Sequence, residues 1–112
     1  MTTEETPAPE VDQETFAQAW EEGATVLDVR NPDEHADKRI PGVVLIPLGE
    51  LVERADEVPV PPAGQPLYVV CAAGARSMRA ATWLRNERQV EAVNVAGGTN
   101  AWAEAGRPLE TG

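Results

Sequence analysis

Short apolar runs separated by polar, turn-rich or helix-patterned stretches organise this chain. Thr25 to Val29, Val43 to Ile46, Leu67 to Val70 and Ala92 to Val95 are nearly continuous in apolar character, with Val11 as a short first strand. Continuous rather than alternating runs fit strands buried on both faces. Between them, Asp12 is placed to cap a helix whose Phe16, Ala19 and Trp20 share a face and which Gly23 ends. Asn31-Pro32-Asp33 breaks the chain, and Pro32 suits the first position of a short helix through His35. Leu48 to Ala55 reads as another short helix, and Pro59 to Pro66 as a surface loop. Ala80, Ala81, Trp83 and Leu84 stripe a helix from Ser77 to Arg88, and Thr99 to Ala105 is a last helix closed by Gly106. Strands alternating with helices predict an α/β fold with a parallel sheet covered on both faces. No internal repeat or second domain is visible.

Charge and composition narrow the function. The chain has 112 residues, 42% of them hydrophobic, and a formal net charge of −10. That charge argues against nonspecific binding to nucleic acid or to an anionic membrane surface. Glu4, Glu5, Glu10 and Asp12 crowd the start, so residues 1–10 are expected to be a disordered acidic, proline-containing tail and residues 11–112 the folded domain. The helix from Ser77 carries Arg79, Arg85 and Arg88 against only Glu87, which predicts local positive charge near its start. The opening residues lack the pattern of a signal peptide, and a cytoplasmic location is expected.

Cys71 is the only cysteine, which excludes an internal disulfide or a CxxC pair. It ends the run Leu67-Tyr68-Val69-Val70 and opens the segment Cys71-Ala72-Ala73-Gly74-Ala75-Arg76-Ser77. A strand running through a loop of small residues into a helix aims backbone N–H groups and a helix N-terminus at whatever the sulfur carries. A lone cysteine at a strand end is commonly a small buried hydrophobe. Gly74, Arg76 and Ser77 are what set this one apart. In open parallel sheets ligands bind beyond the carboxyl ends of the strands, and Asp28 to Arg30 and Ala96 to Gly98 lie at two further such ends.

Together these pieces resemble the rhodanese family of sulfurtransferases. The resemblance is carried by Leu27-Asp28-Val29-Arg30 with Pro32 and Glu34, by Ile40-Pro41-Gly42 and Ile46-Pro47, by the Cys71 loop, and by Gly97-Gly98 with Ala101-Trp102 and Gly106. It runs from about Asp12 to Leu109. It implies a five-stranded parallel sheet with helices on both faces, and a catalytic Cys71 that accepts sulfane sulfur as a persulfide. It further implies thiosulfate as donor and a thiophilic acceptor such as cyanide, a thiol or a sulfur-carrier protein. One departure stands out: the family often has His just before Ile-Pro-Gly, and here Arg39 occupies that position.

Each candidate residue has a chemical reason. A free thiol has a pKa of about 8.5, lowered at helix N-termini and near cations, so Arg76 and the helix start favour a Cys71 thiolate. Arg76 is the expected partner for the sulfonate of thiosulfate. Ser77 is a hydrogen-bond donor to the sulfur or a plain helix cap, and Gly74 supplies a conformation other residues resist. Ala72, Ala73 and Ala75 supply loop backbone. Asp28 is expected in support, through a structural ion pair or hydrogen bonds to loop backbone, Arg30 either to reach the pocket or to pair with a nearby acid, and Gly97 and Gly98 to allow a close backbone approach. His35 reads as a solvated surface residue, Trp83 and Trp102 as core. No grouping of His, Cys and acids suggests a metal, and no cofactor is expected.

Competing activities remain at this level. A phosphatase or arsenate reductase also sets a cysteine and an arginine around a cradle of N–H groups. Four residues separate Cys71 from Arg76, whereas the phosphatase cradle that this loop resembles has five, and a shorter loop favours a sulfur atom over a tetrahedral oxyanion. A regulatory or sulfur-relay module is the non-enzymatic alternative.

Overall fold

The computed structural model describes residues 6–112. Its centre is a parallel sheet of β1 (Glu10–Val11), β2 (Val26–Asp28), β3 (Val44–Leu45), β4 (Leu67–Val70) and β5 (Ala92–Val95). The strand order is β1-β5-β4-β2-β3 and every pairing is parallel, as the alternation of strands and helices predicts. Among the described residues no helix is long and apolar enough to cross a membrane.

Alternation along the strands divides the core in two. Leu67, Val69 and Cys71 face one side with Leu27 and Val29, under Ala80, Ala81 and Leu84 of α3 (Ala75–Arg88). Val70, Val26 and Val95 face the other, against Phe16 of α1 (Gln13–Glu21) and Trp102 of α4 (Gly98–Glu104). There Phe16 and Trp20 pack edge-on to Trp102 with ring centroids 5.3 and 5.2 Å away. The Trp102 indole N–H donates to the Pro108 carbonyl and that of Trp20 to the Pro41 carbonyl, so both indole N–H groups are paired. Trp83 lies on the α3 side, partly buried against the first cluster.

Local chemistry accounts for the element ends. The Asp12 carboxylate accepts from the Thr15 N–H and caps α1. Pro32 begins α2 (Pro32–Asp37). The segment expected as a helix from Leu48 to Ala55 is instead a pair of 3₁₀ turns, Leu48–Glu50 and Ala55–Glu57. Gly49 in its first turn is a poor propagator of an α-helix.

The N-terminal stretch departs from expectation as well. Residues 1–5 of the expected tail lie outside the described residues, but the remainder is laid along the sheet. Ala8 is buried and donates its N–H to Thr82 on α3, the Pro9 carbonyl accepts from the Asn94 N–H, and Glu10 opens β1 opposite Asn94. The backbone pairing available along β5 orders a segment that has little apolar content of its own.

Candidate active site

Cys71 follows the last residue of β4, and the chain then turns through Ala72 and Ala73 into Gly74, the residue that caps α3. Gly74 has φ of 118°, in the region that side chains with a Cβ avoid. That turn starts α3 at Ala75, two residues ahead of the expected start, and puts Ser77 within the helix rather than at its cap. The Cys71 sulfur accepts from the Gly74 N–H at 3.1 Å and lies 3.2 Å from the Ser77 hydroxyl. Both Cys71 and Ser77 are buried.

Burial alone pushes the Cys71 thiol up. The Ser77 hydroxyl and the backbone N–H groups of Ser77, Gly74 and Ala73 outweigh it, leaving the thiol below its ordinary value. The cradle of donors therefore acts as a helix N-terminus does, stabilising negative charge on the sulfur.

Arg76 is positioned differently from expectation. Its guanidinium makes a two-point pair with Glu34 of α2, Nη1 to Oε1 at 2.8 Å and Nη2 to Oε2 at 2.9 Å. Arg76 holds the Glu34 carboxyl well below the usual carboxylate range, at about 2, against a smaller opposing effect of burial. The cation expected above the loop is thus already matched by an anion. Of the three arginines expected to make α3 positive, Arg79 is exposed near the helix start, whereas Arg85 donates to the Ala92 carbonyl and Arg88 pairs with Asp56, ten and more residues into the helix. At 1.5 Å per residue that is roughly 15 Å or more from the loop.

The other two strand ends do meet β4. Asp28, at the end of β2, is buried and pairs with Arg30, whose Nε and Nη2 both donate to it and whose Nη2 also reaches the Lys38 carbonyl. Arg30 pairs with a nearby acid and is itself buried, so it is not a free rim charge. His35, read from the sequence as solvated, turns inward with Nδ1 3.3 Å from Asp28 Oδ2. Beyond β5, the N–H of Thr99 donates to the Cys71 carbonyl at 2.8 Å and that of Asn100 to the Ala72 carbonyl at 3.0 Å. The start of α4 is thereby stitched beneath the loop. A Cβ on Gly98 would sit 2.7 Å from the Ala72 carbonyl oxygen and closer still to that of Cys71, so this approach requires glycine. Gly97 is similarly crowded, its Cβ position falling 2.7 Å from that of Ala101.

Three residues are brought to the site that the sequence reading assigned no role in it. Glu34 anchors Arg76. Asn94, fully buried in the otherwise apolar β5, places Oδ1 against the Ser77 hydroxyl and donates from Nδ2 to Glu10 at 2.7 Å. The signal available was Asn94 itself: an amide inside a buried strand needs hydrogen-bond partners.

Chemically, the arrangement is a buried sulfur, acidified by hydrogen bonds and enclosed by a loop of N–H donors, with Arg76 of the loop paired to Glu34. Known proteins share this chain's sequence pattern and fold. The family model for the rhodanese-like domain matches residues 12–105. A sulfurtransferase of Allochromatium vinosum is 31% identical over 102 residues, covering 89% of this chain and 92% of that protein. The putative sulfur carrier protein YrkF of Bacillus subtilis is 36% identical over 96 residues, and the match takes in 84% of this chain but only 50% of that longer protein. The crystal structure of a rhodanese-related protein from Thermoplasma volcanium superposes with a TM-score of 0.81 at 29% identity, covering 93% of this chain and 99% of that one. With the parallel sheet, the cysteine loop at the end of β4 and a family match over nearly the whole described chain, this protein belongs to the rhodanese-like domain family.

Proposed function

We propose that the protein is a sulfurtransferase that carries sulfane sulfur as a persulfide on Cys71. The Cys71 thiolate attacks the outer sulfur of thiosulfate, or of another persulfide donor. A sulfur–sulfur bond forms to Sγ, and the donor's own sulfur–sulfur bond breaks, so that sulfite from thiosulfate, or the thiolate from a persulfide, leaves with the electron pair. A nucleophilic acceptor such as cyanide or a thiolate then attacks the outer persulfide sulfur, takes it, and returns Cys71 as thiolate. The cycle is a double displacement through a covalent intermediate, with no net oxidation.

The observation that carries this reading is the sulfur's surroundings. Sγ faces the Gly74 N–H at 3.1 Å and the Ser77 hydroxyl at 3.2 Å, and its thiol lies below the ordinary value. A phosphatase or arsenate reductase needs a free cation for its oxyanion, and Arg76 is matched by Glu34. The same pairing favours the sulfur-relay variant of the reading, in which the donor is a protein or small-molecule persulfide that needs no anion anchor.

Incubation with thiosulfate, followed by intact mass measurement, is expected to add one sulfur atom to the wild type and none to Cys71→Ala. Cyanide is expected to remove it as thiocyanate. Failure of the mass gain with both thiosulfate and a low-molecular-weight persulfide would overturn the proposal. Efficient Cys71-dependent hydrolysis of an aryl phosphate would replace it with the phosphatase reading.

A further inference from the structure

The Ser77 hydroxyl carries one hydrogen and faces more than one acceptor. The Cys71 sulfur lies at 3.2 Å, the Gly74 carbonyl at 3.3 Å, and Asn94 Oδ1 is nearer than either. A hydroxyl donates a single bond, so the acceptors compete for it.

Glu10 decides which end of the Asn94 amide enters the competition. A carboxylate only accepts, so the group facing Glu10 Oε2 at 2.7 Å must be the amide nitrogen. The amide oxygen is thereby turned toward Ser77. The β1–β5 register sets Glu10 directly opposite Asn94, and Val69 of β4 lies opposite Asn94 on its other side, two residues before Cys71. Glu10, Asn94, Ser77 and Cys71 thus form one hydrogen-bonded row across the edge of the sheet.

We propose that Asn94, oriented by Glu10, is a positioning residue that sets the direction of the Ser77 hydroxyl and so limits how strongly that hydroxyl stabilises negative charge on Cys71. With sulfur protonated, Ser77 donates to Asn94 and the thiol can donate to Ser77 Oγ. With sulfur ionised, the Ser77 proton is drawn to sulfur, and the buried Asn94 oxygen is left facing an oxygen. Leaving a buried acceptor unmatched is costly. The row therefore holds the thiolate less tightly than the loop alone would, and a thiolate held less tightly is the better nucleophile. The consequence for sulfur transfer rests on the function proposed above; the effect on the thiol does not.

Glu10 lies at the exposed edge of the sheet, which makes it the position to vary. Glu10→Asp keeps the charge and withdraws the carboxylate from Asn94; Glu10→Gln keeps the reach and offers an N–H₂. Either change lets the Asn94 amide turn its nitrogen to Ser77 and frees the hydroxyl proton for sulfur. The other ion pairs nearby, Arg76 with Glu34 and Arg30 with Asp28, are left as they are.

The experiment is the rate of Cys71 alkylation by iodoacetamide against pH, which requires no sulfur transfer. Both variants are expected to move the thiol midpoint down by about half a pH unit, raising the rate near neutrality about threefold. In a Ser77→Ala background the same Glu10 changes are expected to have no effect. An unchanged midpoint in Glu10→Asp, a shift seen with Glu10→Gln alone, or a shift that persists without the Ser77 hydroxyl would overturn the proposal. The first two would reduce Glu10 to a bystander or a plain charge.

Discussion

Arg76 and Glu34 bind each other through both terminal guanidinium nitrogens and both carboxylate oxygens, at 2.8 and 2.9 Å, tying the start of α3 to α2. The pair removes from the loop the free cation that a small anionic donor would seek. Glu34→Gln keeps a hydrogen-bonding partner but leaves the positive charge of Arg76 uncompensated. The KM for thiosulfate in a thiosulfate-to-cyanide assay is expected to fall about three- to fivefold, the size of one partly exposed charge interaction. The gain should shrink with added salt. An unchanged or higher KM would mean that Arg76 does not face the donor even when released.

The same pair gives the fold a specific acid response. Glu34 sits at about 2 instead of 4.5, chiefly because Arg76 bonds to it. A carboxyl with a lowered pKa in the folded state binds protons more readily once unfolded. Its stabilisation is complete above pH 4.5 and is lost as pH falls toward 2. Both side chains keep roughly a third of their surface open, 33% and 30%, so screening holds the contribution to about 1 kcal/mol. Urea unfolding of the wild type and Glu34→Gln should show a difference near neutrality that closes in acid. A constant gap across that range would assign the difference to something other than this titration.

Ser77 offers the most direct test of what acidifies the sulfur. Burial pushes the Cys71 thiol up and hydrogen bonds bring it down, the Ser77 hydroxyl being first among them. Ser77→Ala removes that donor while leaving the loop N–H groups in place. The midpoint of alkylation against pH is expected to rise by about one unit, with less thiolate at neutral pH and slower persulfide formation there. The helix tolerates alanine, although Asn94 Oδ1 loses a partner and stability should drop by about 1–2 kcal/mol. A midpoint that stays put would assign the acidity to the backbone alone.

What could be read from the sequence was local, and what could not was distant along the chain. The buried run Leu67 to Val70, the cysteine after it and the small loop residues form one contiguous segment, so the strand, the turn and the helix beyond them were legible together. Gly74 was recognisable as a turn residue, but its left-handed cap, which starts α3 at Ala75 and draws Ser77 inside the helix, depends on the turn's actual dihedrals. The Arg76–Glu34 pair joins positions 42 apart, and charge patterning shows an arginine without showing its partner. Glu10 and Asn94 are 84 apart and meet only because β1 takes its place beside β5. Glu10 reads as part of a loose tail because two strand residues beside prolines have no pattern of their own; the ordering comes from the neighbouring strand.

Gly98 tests whether the base of the loop is built on backbone contact. Its φ is 57°, and a Cβ there would press on the carbonyls of both Cys71 and Ala72, the two groups that accept from Thr99 and Asn100. Backbone atoms cannot swing aside as a side chain can, so relief requires α4 and the loop to move apart. Gly98→Ala is expected to cost about 2–4 kcal/mol, combining a strained conformation with a steric conflict. Because the displaced atoms belong to Cys71 and Ala72, sulfur transfer should fall even in the fraction that stays folded. Gly106→Ala is the matched control, since its φ of 75° is equally left-handed but a Cβ there meets nothing within 4 Å. It should show the strain alone, about 1 kcal/mol, with activity per folded molecule unchanged. Chemical denaturation together with activity per folded molecule separates the two effects. Equal losses at both glycines would show that the close approach of α4 to the loop contributes nothing beyond backbone conformation.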